Sequence, residues 1–173
     1  LNTMALNGRK SPITIISPKG LQRFYKVYQE TSDAHETFDI HFIELETEQK
    51  QVITTPRIKV TAIPVSHRLT CFAYKLEQVN IERPLNVEAC EKYKIPVEAF
   101  KNIKLGEDYQ IESGKVIPNA ELTFDSHEPI SYGYITDTLF RPDLANEFSD
   151  CHTVYHEATY LHILIDRAIK TQH

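Results

Sequence analysis

Four side chains of the types used in metal-dependent hydrolysis stand at the ends of apolar runs in this sequence. His67 follows Pro64-Val65-Ser66, Asp137 follows Tyr134-Ile135-Thr136, and His156-Glu157 closes the run that begins at His152. His173 stands last, one helical pattern further on. Imidazole nitrogens and carboxylate oxygens are donors that zinc, manganese and magnesium accept in differing proportions. A loop at a strand end presents such donors from a rigid scaffold. An aspartate there also offers two oxygens that point in different directions, so it can lie between two ions.

Each of these residues has a plainer use as well. A lone histidine after a strand is more often a surface or hydrogen-bonded group. Asp137 can cap a turn, and Thr159 can cap the final helix. The remaining histidines, His35, His41, His127, His152 and His162, read as incidental. His41 falls on the polar face of a strand and His162 on the polar face of a helix. The chain contains no glycine-rich phosphate loop, no GxSxG elbow and no HExxH. Spacing alone therefore offers a metallohydrolase as a candidate and goes no further.

The elements that must position these groups follow from periodicity. Ile13 to Ile16 is a β-rich run, and Ser17-Pro18-Lys19-Gly20 turns it into a helix with Leu21, Phe24, Tyr25 and Tyr28 on one face. Phe38, Ile40 and Phe42 alternate with polar residues as a half-buried strand does. Further strands are expected at Ile58 to Val65, Thr70 to Leu76, Glu121 to Phe124, Ile130 to Ile135 and His152 to Tyr155. A short helix follows Pro142, and a last helix carries Leu161, Leu164, Ile165 and Ala168 on one face. Residues 80–115 are polar, helix-prone in pieces and weakly apolar, and read as an arm-like insertion in a domain spanning 1–173. Strands cluster without regular βαβ alternation, which predicts an α+β layered domain.

Composition bounds the rest. The 173 residues suffice for one domain with a sizeable core. No stretch approaches the roughly 18 consecutive apolar residues of a membrane span, so no membrane association is expected. The three cysteines are scattered and form no CxxC pair, which suits a reducing compartment and a cytoplasmic location. A net charge of −5 argues against a general nucleic-acid coat, so a nucleic-acid substrate would need a local basic patch. The chain begins at Leu1, has its one methionine at position 4 and stops straight after a helical pattern. Both ends are read as truncations of a longer protein.

The whole chain resembles ribonuclease Z, the tRNA 3′-processing endoribonuclease of the metallo-β-lactamase superfamily. Leu1 to Arg9 with Pro12-Ile13-Thr14-Ile15 is similar to the family's stretch after its main metal motif, and Ser17-Pro18-Lys19-Gly20 to its "GPKG" turn. His67-Arg68 with Phe72-Ala73-Tyr74 is similar to "HR…FGY", and Thr136-Asp137-Thr138 stands where the family has "GDT". His156 to Tyr160 is similar to "HEATF", and His173 falls where "HST" would begin. The resemblance implies an αββα sandwich, here partial, with metals at one edge of the two sheets. It implies two divalent ions, zinc foremost, with His67 a ligand of one and Asp137 bridging both. It implies that His173 assists the scissile phosphate or leaving group, that Glu157 orients it, and that precursor tRNA is the substrate and a homodimer the assembly.

Two departures from the family pattern qualify these expectations. The HxHxDH cluster, which supplies most ligands, would precede Leu1, and a further ligand histidine would follow His173. The chain alone is therefore expected to bind metal weakly and not to cut RNA. The family's arm is Gly-Pro-rich, whereas Ile95 to Gly106 has lost most of its glycines and keeps Lys101 and Lys104, read as tRNA-phosphate contacts or a solvated face. Another phosphodiesterase of the same superfamily, or a non-catalytic partial domain, stays open beside the leading reading.

Overall fold

In the computed structural model, residues 1–32, 36–46 and 49–173 are described; His35 lies outside them. A one-turn helix α1 (Asn2–Leu6) leads to β1 (Ile13–Pro18), α2 (Leu21–Ser32) and β2 (Ile40–Leu45). Strands β1 and β2 pair in parallel, Ile13 opposite Ile40 through Pro18 opposite Leu45. The next three strands, β3 (Gln51–Thr54), β4 (Ile58–Pro64) and β5 (Phe72–Gln78), form an antiparallel meander. Helices α3 (Val87–Lys92), α4 (Phe100–Lys104) and α5 (Asn119–Leu122) follow, with the short ribbon β6 (Tyr109–Gln110) and β7 (Val116–Ile117) between the last two. The chain then returns as β8 (Ser131–Ile135), α6 (Leu144–Phe148), β9 (Thr153–His156) and α7 (Ile165–Thr171).

The main sheet has the order β3-β4-β5-β8-β9. Its side chains alternate between faces with a period of two, so adjacent residues serve different layers. Ala62 and Phe72 face the parallel pair, where they pack with Leu45, Ile16, Ile53 and Tyr74. Their neighbours Ile63 and Ala73 face the other way and pack with Ile135 and with Leu144 and Phe148 of α6. The result is a small sheet on a larger sheet with a helix outside, the α+β layering that the pattern predicts.

Strand direction decides where functional groups can meet. β4 and β8 are each antiparallel to β5, and β9 is parallel to β8. The carboxyl ends of β4, β8 and β9 therefore lie at one edge of the sheet, although they are far apart in sequence.

The inserted segment differs from its expected form. It reaches to Phe124, closed by a bridge between Leu85 and Thr123 and by the Phe124 amide on the Pro84 carbonyl at 2.8 Å. It packs around its own core of Cys90, Ile95, Ile103, Ile117 and Leu122. Glu121 and Leu122, read as the start of a strand, are helical, and Leu122 is fully buried in that core. A four-residue alternation does not distinguish a strand from a single helical turn that buries one side chain. The apolar face of α2 is also less covered than its periodicity suggests, with Phe24 70 % exposed.

Gly133 sits under the α6 packing. A Cβ built there would lie 2.6 Å from Phe148 Cδ1, 3.1 Å from Cε1 and 3.3 Å from Val154 Cγ2. Gly133→Ala is expected to destabilise the chain by about 1–3 kcal/mol through overpacking, measured as a lower urea midpoint. Unchanged stability would mean that α6 is not seated as described.

Candidate metal centre

The shared strand edge gathers the sequence-predicted groups. His67 lies in the loop between β4 and β5, Asp137 directly after β8, Glu157 directly after β9, and His173 just past α7. Donor atoms of His67, Asp137 and His173 all lie within 4.8 Å of one another. The two imidazole rings meet edge to face, with centroids 5.1 Å apart. Two histidines and a carboxylate form a donor set that zinc accepts and that manganese tolerates.

Backbone bonds hold the loops in register. The Ser66 amide donates to Thr138 Oγ1 at 3.3 Å, and the Leu139 amide donates to the Ser66 carbonyl at 2.9 Å. These two bonds tie the His67 loop to the Asp137 loop around the fully buried Thr138. The Glu157 amide donates to the Ile135 carbonyl at 3.0 Å, which adds the third loop. Asp137 itself has φ 50°, the left-handed region that aspartate enters more readily than most residues. That turn lets the chain leave β8 abruptly while the carboxylate stays at the sheet edge.

Glu157 stands behind His173. Its Oε1 and Oε2 lie 3.2 and 3.3 Å from His173 Nδ1, whereas Asp137 Oδ1 is 3.9 Å away. Oε1 also accepts the Thr138 amide at 3.0 Å and Oε2 the Thr159 hydroxyl at 2.9 Å. Burial pushes the Glu157 carboxyl upward, but the donors Thr138, Thr159 and His173 outweigh it and hold the group below the usual carboxylate range. A carboxylate on Nδ1 leaves Nε2 of His173 as the free lone pair of the neutral ring. His67 has the same polarity, since its Nδ1 lies 3.0 Å from the Gln172 carbonyl oxygen.

Other predicted residues fall elsewhere. Lys101 and Lys104 lie in the last turn of α4, within the insertion, and Lys104 Nζ is 3.7 Å from Glu82. Thr159 does not cap α7, which begins only at Ile165; its hydroxyl is spent on Glu157. His41 is exposed, His127 pairs with Gln78 and His152 with Ser131, so none joins the cluster. Sequence reasoning missed Thr138, Gln172 and Cys71. Burial pushes the Cys71 thiol up, and the nearby charges of Asp137 and Glu157 add to this. Two of the three contribute through backbone groups, which no residue-type pattern reveals.

No protein-family profile matches the chain. Curated relatives do. A protein named Ribonuclease Z from Bacteroides fragilis is 32% identical over 174 residues, a match covering 100% of this chain and 57% of the relative. A Ribonuclease Z from Bacteroides thetaiotaomicron is 31% identical, with 100% of this chain and 55% of the relative covered. Among solved structures, the human tRNase Z short form matches with TM-score 0.57 and 17% identity, over 100% of this chain and 56% of that one. The chain thus spans little more than half the length of these proteins. The resemblance read from the motifs extends along the entire chain, and the fold is of the metallo-β-lactamase type.

The Glu157 geometry has a measurable consequence. A carboxyl held below its unfolded value stabilises the fold above that value, near 4.5, and the contribution fades as pH falls through the folded value. Glu157→Gln is expected to lower the thermal midpoint at pH 6, with the difference shrinking as pH falls further below 4.5. A midpoint difference that persists unchanged into acid would contradict this account of the carboxylate.

Proposed function

We propose that this chain is a portion of a ribonuclease Z, a metal-dependent endoribonuclease that removes 3′ trailers from precursor tRNA. The observation that carries the reading is the convergence of His67, Asp137 and His173 to within 4.8 Å at the strand edge. These are the positions to which the motif resemblance assigns metal and catalytic roles. Likeness to proteins named Ribonuclease Z over the whole chain supports the same conclusion.

His67 and Asp137 would hold the metal at this edge. Divalent ions bound there, zinc foremost, would supply an activated water and stabilise charge developing on the phosphodiester. His173, held at Nδ1 by Glu157, stands in the cluster and is suited to assist the scissile phosphate or the departing ribose oxygen. Glu157 fixes that ring through Nδ1. The exposed Lys101 and the half-buried Lys104 contact tRNA phosphates; the pair of Lys104 with Glu82 is too weak to withhold it. The three free cysteines suit a cytoplasmic setting, and a homodimer is the proposed assembly. No helix among the described residues is long and apolar enough to cross a membrane.

Three donors are fewer than two ions need. Zinc titrated calorimetrically into the 173-residue chain is expected to bind no tighter than micromolar, and Asp137→Ala to abolish the signal. Tight stoichiometric binding, or binding indifferent to Asp137, would overturn the assignment. In a protein that contains this chain and spans the relatives' whole length, precursor tRNA is expected to be cleaved far faster than bis(p-nitrophenyl) phosphate. The reverse preference would point to a different phosphodiesterase. Charge reversal of Lys101 and Lys104 in that protein is expected to weaken tRNA binding and to reduce the salt slope by roughly two, one per phosphate contact. An unchanged slope would remove the arm from the substrate path.

A further inference from the structure

Helix α7 ends in a Schellman cap. Gln172 takes the left-handed conformation, φ 60° and ψ 49°. Its amide donates to the Ile169 carbonyl at 3.3 Å, and the His173 amide donates to the Ala168 carbonyl at 3.0 Å. Two helix carbonyls without helical partners are thereby satisfied. The same reversal turns His173 back into the cluster and points the Gln172 carbonyl at His67, whose Nδ1 lies 3.0 Å from that oxygen.

Nothing favours glutamine at this position for stability. The left-handed region penalises any residue with a Cβ. The amide Oε1 of Gln172 is buried without a donor among the described residues. What the position supplies to the site is its backbone oxygen. A carbonyl only accepts, so the bond to it exists only when Nδ1 of His67 carries the proton. The neutral ring then has its lone pair on Nε2.

We infer that Gln172 is a positioning residue: its left-handed backbone fixes His67 as the Nδ1–H tautomer and so leaves Nε2 as the metal-binding nitrogen. The helix cap thus serves both histidines, one through a carbonyl and the other through chain direction. What Nε2 faces rests on the reading of the cluster as a metal centre; the tautomer does not.

The test is therefore made without metal. Long-range 1H–15N spectra of the 15N-labelled chain, recorded at pH 8 with chelator, report the tautomer of each histidine, with His67→Gln assigning the signal. His67 is expected to be predominantly Nδ1–H in the parent chain. Gln172→Gly keeps the carbonyl and enters the left-handed region freely, so the tautomer is expected to persist while the thermal midpoint rises. Gln172→Val opposes that conformation. It is expected to shift the tautomer ratio towards Nε2–H by roughly fivefold, the equivalent of one net hydrogen bond. A parent chain already in the Nε2–H form would overturn the inference, whether or not the valine variant folds. So would a folded Gln172→Val chain with the parent ratio. Failure of zinc to bind the parent chain would count against the metal centre and leave the tautomer result standing.

Discussion

The carboxylate of Glu157 is the point at which the separate parts of this edge are joined. It accepts a backbone amide from the loop after β8, a hydroxyl from its own loop and the ring of His173 from beyond α7. Burial opposes its charge, and those donors restore it. A group in that position does two things at once. It closes three loops around one acceptor, and it holds the Nδ1 side of the His173 ring. Without the carboxylate, the Thr138 amide and the His173 ring would both lose their partner in a largely buried setting.

Much of this was legible in the residues. Alternation at Ile58 to Val65 and at Ile130 to Ile135 located β4 and β8, and the metal-type residues placed after them are those that the edge gathers. The parallel running of β4, β8 and β9 was not legible, because it depends on pairing between distant segments. Nor were the contributions of Thr138 and Gln172. The Thr138 amide and the Gln172 carbonyl act through the backbone, which any residue type carries, and the Thr138 hydroxyl acts only once the two loops meet. The core of the segment expected as an arm was not legible for a different reason. Its apolar residues are sparse and irregularly spaced, so Cys90, Ile95, Ile103, Ile117 and Leu122 suggest no periodic face, yet they converge in three dimensions into one core. Motif order located the site more sharply than periodicity did, since motifs register side-chain chemistry directly.

The molecule divides its labour between two bodies of packing. The sheet-and-helix layers hold the donors at an edge, with Phe148 clamped over Gly133 and Ile135 beneath. The insertion has its own core and carries Lys101 and Lys104 on a short helix away from the donors. A rigid edge suits chemistry, which needs donors held to fractions of an ångström.

Asp137 occupies the one kind of backbone position in which its own side chain is expendable to the fold. With φ at 50°, asparagine or glycine fits there at least as comfortably, and either removes the charge. Most residues that anchor a catalytic edge are protected by the structural damage their loss would cause. This one has no such structural protection. A lineage released from the need to hold metal would lose the carboxylate early and silently, with stability level or improved. If the edge holds metal as proposed, the amino acid at this turn would mark which descendants of the fold still do so.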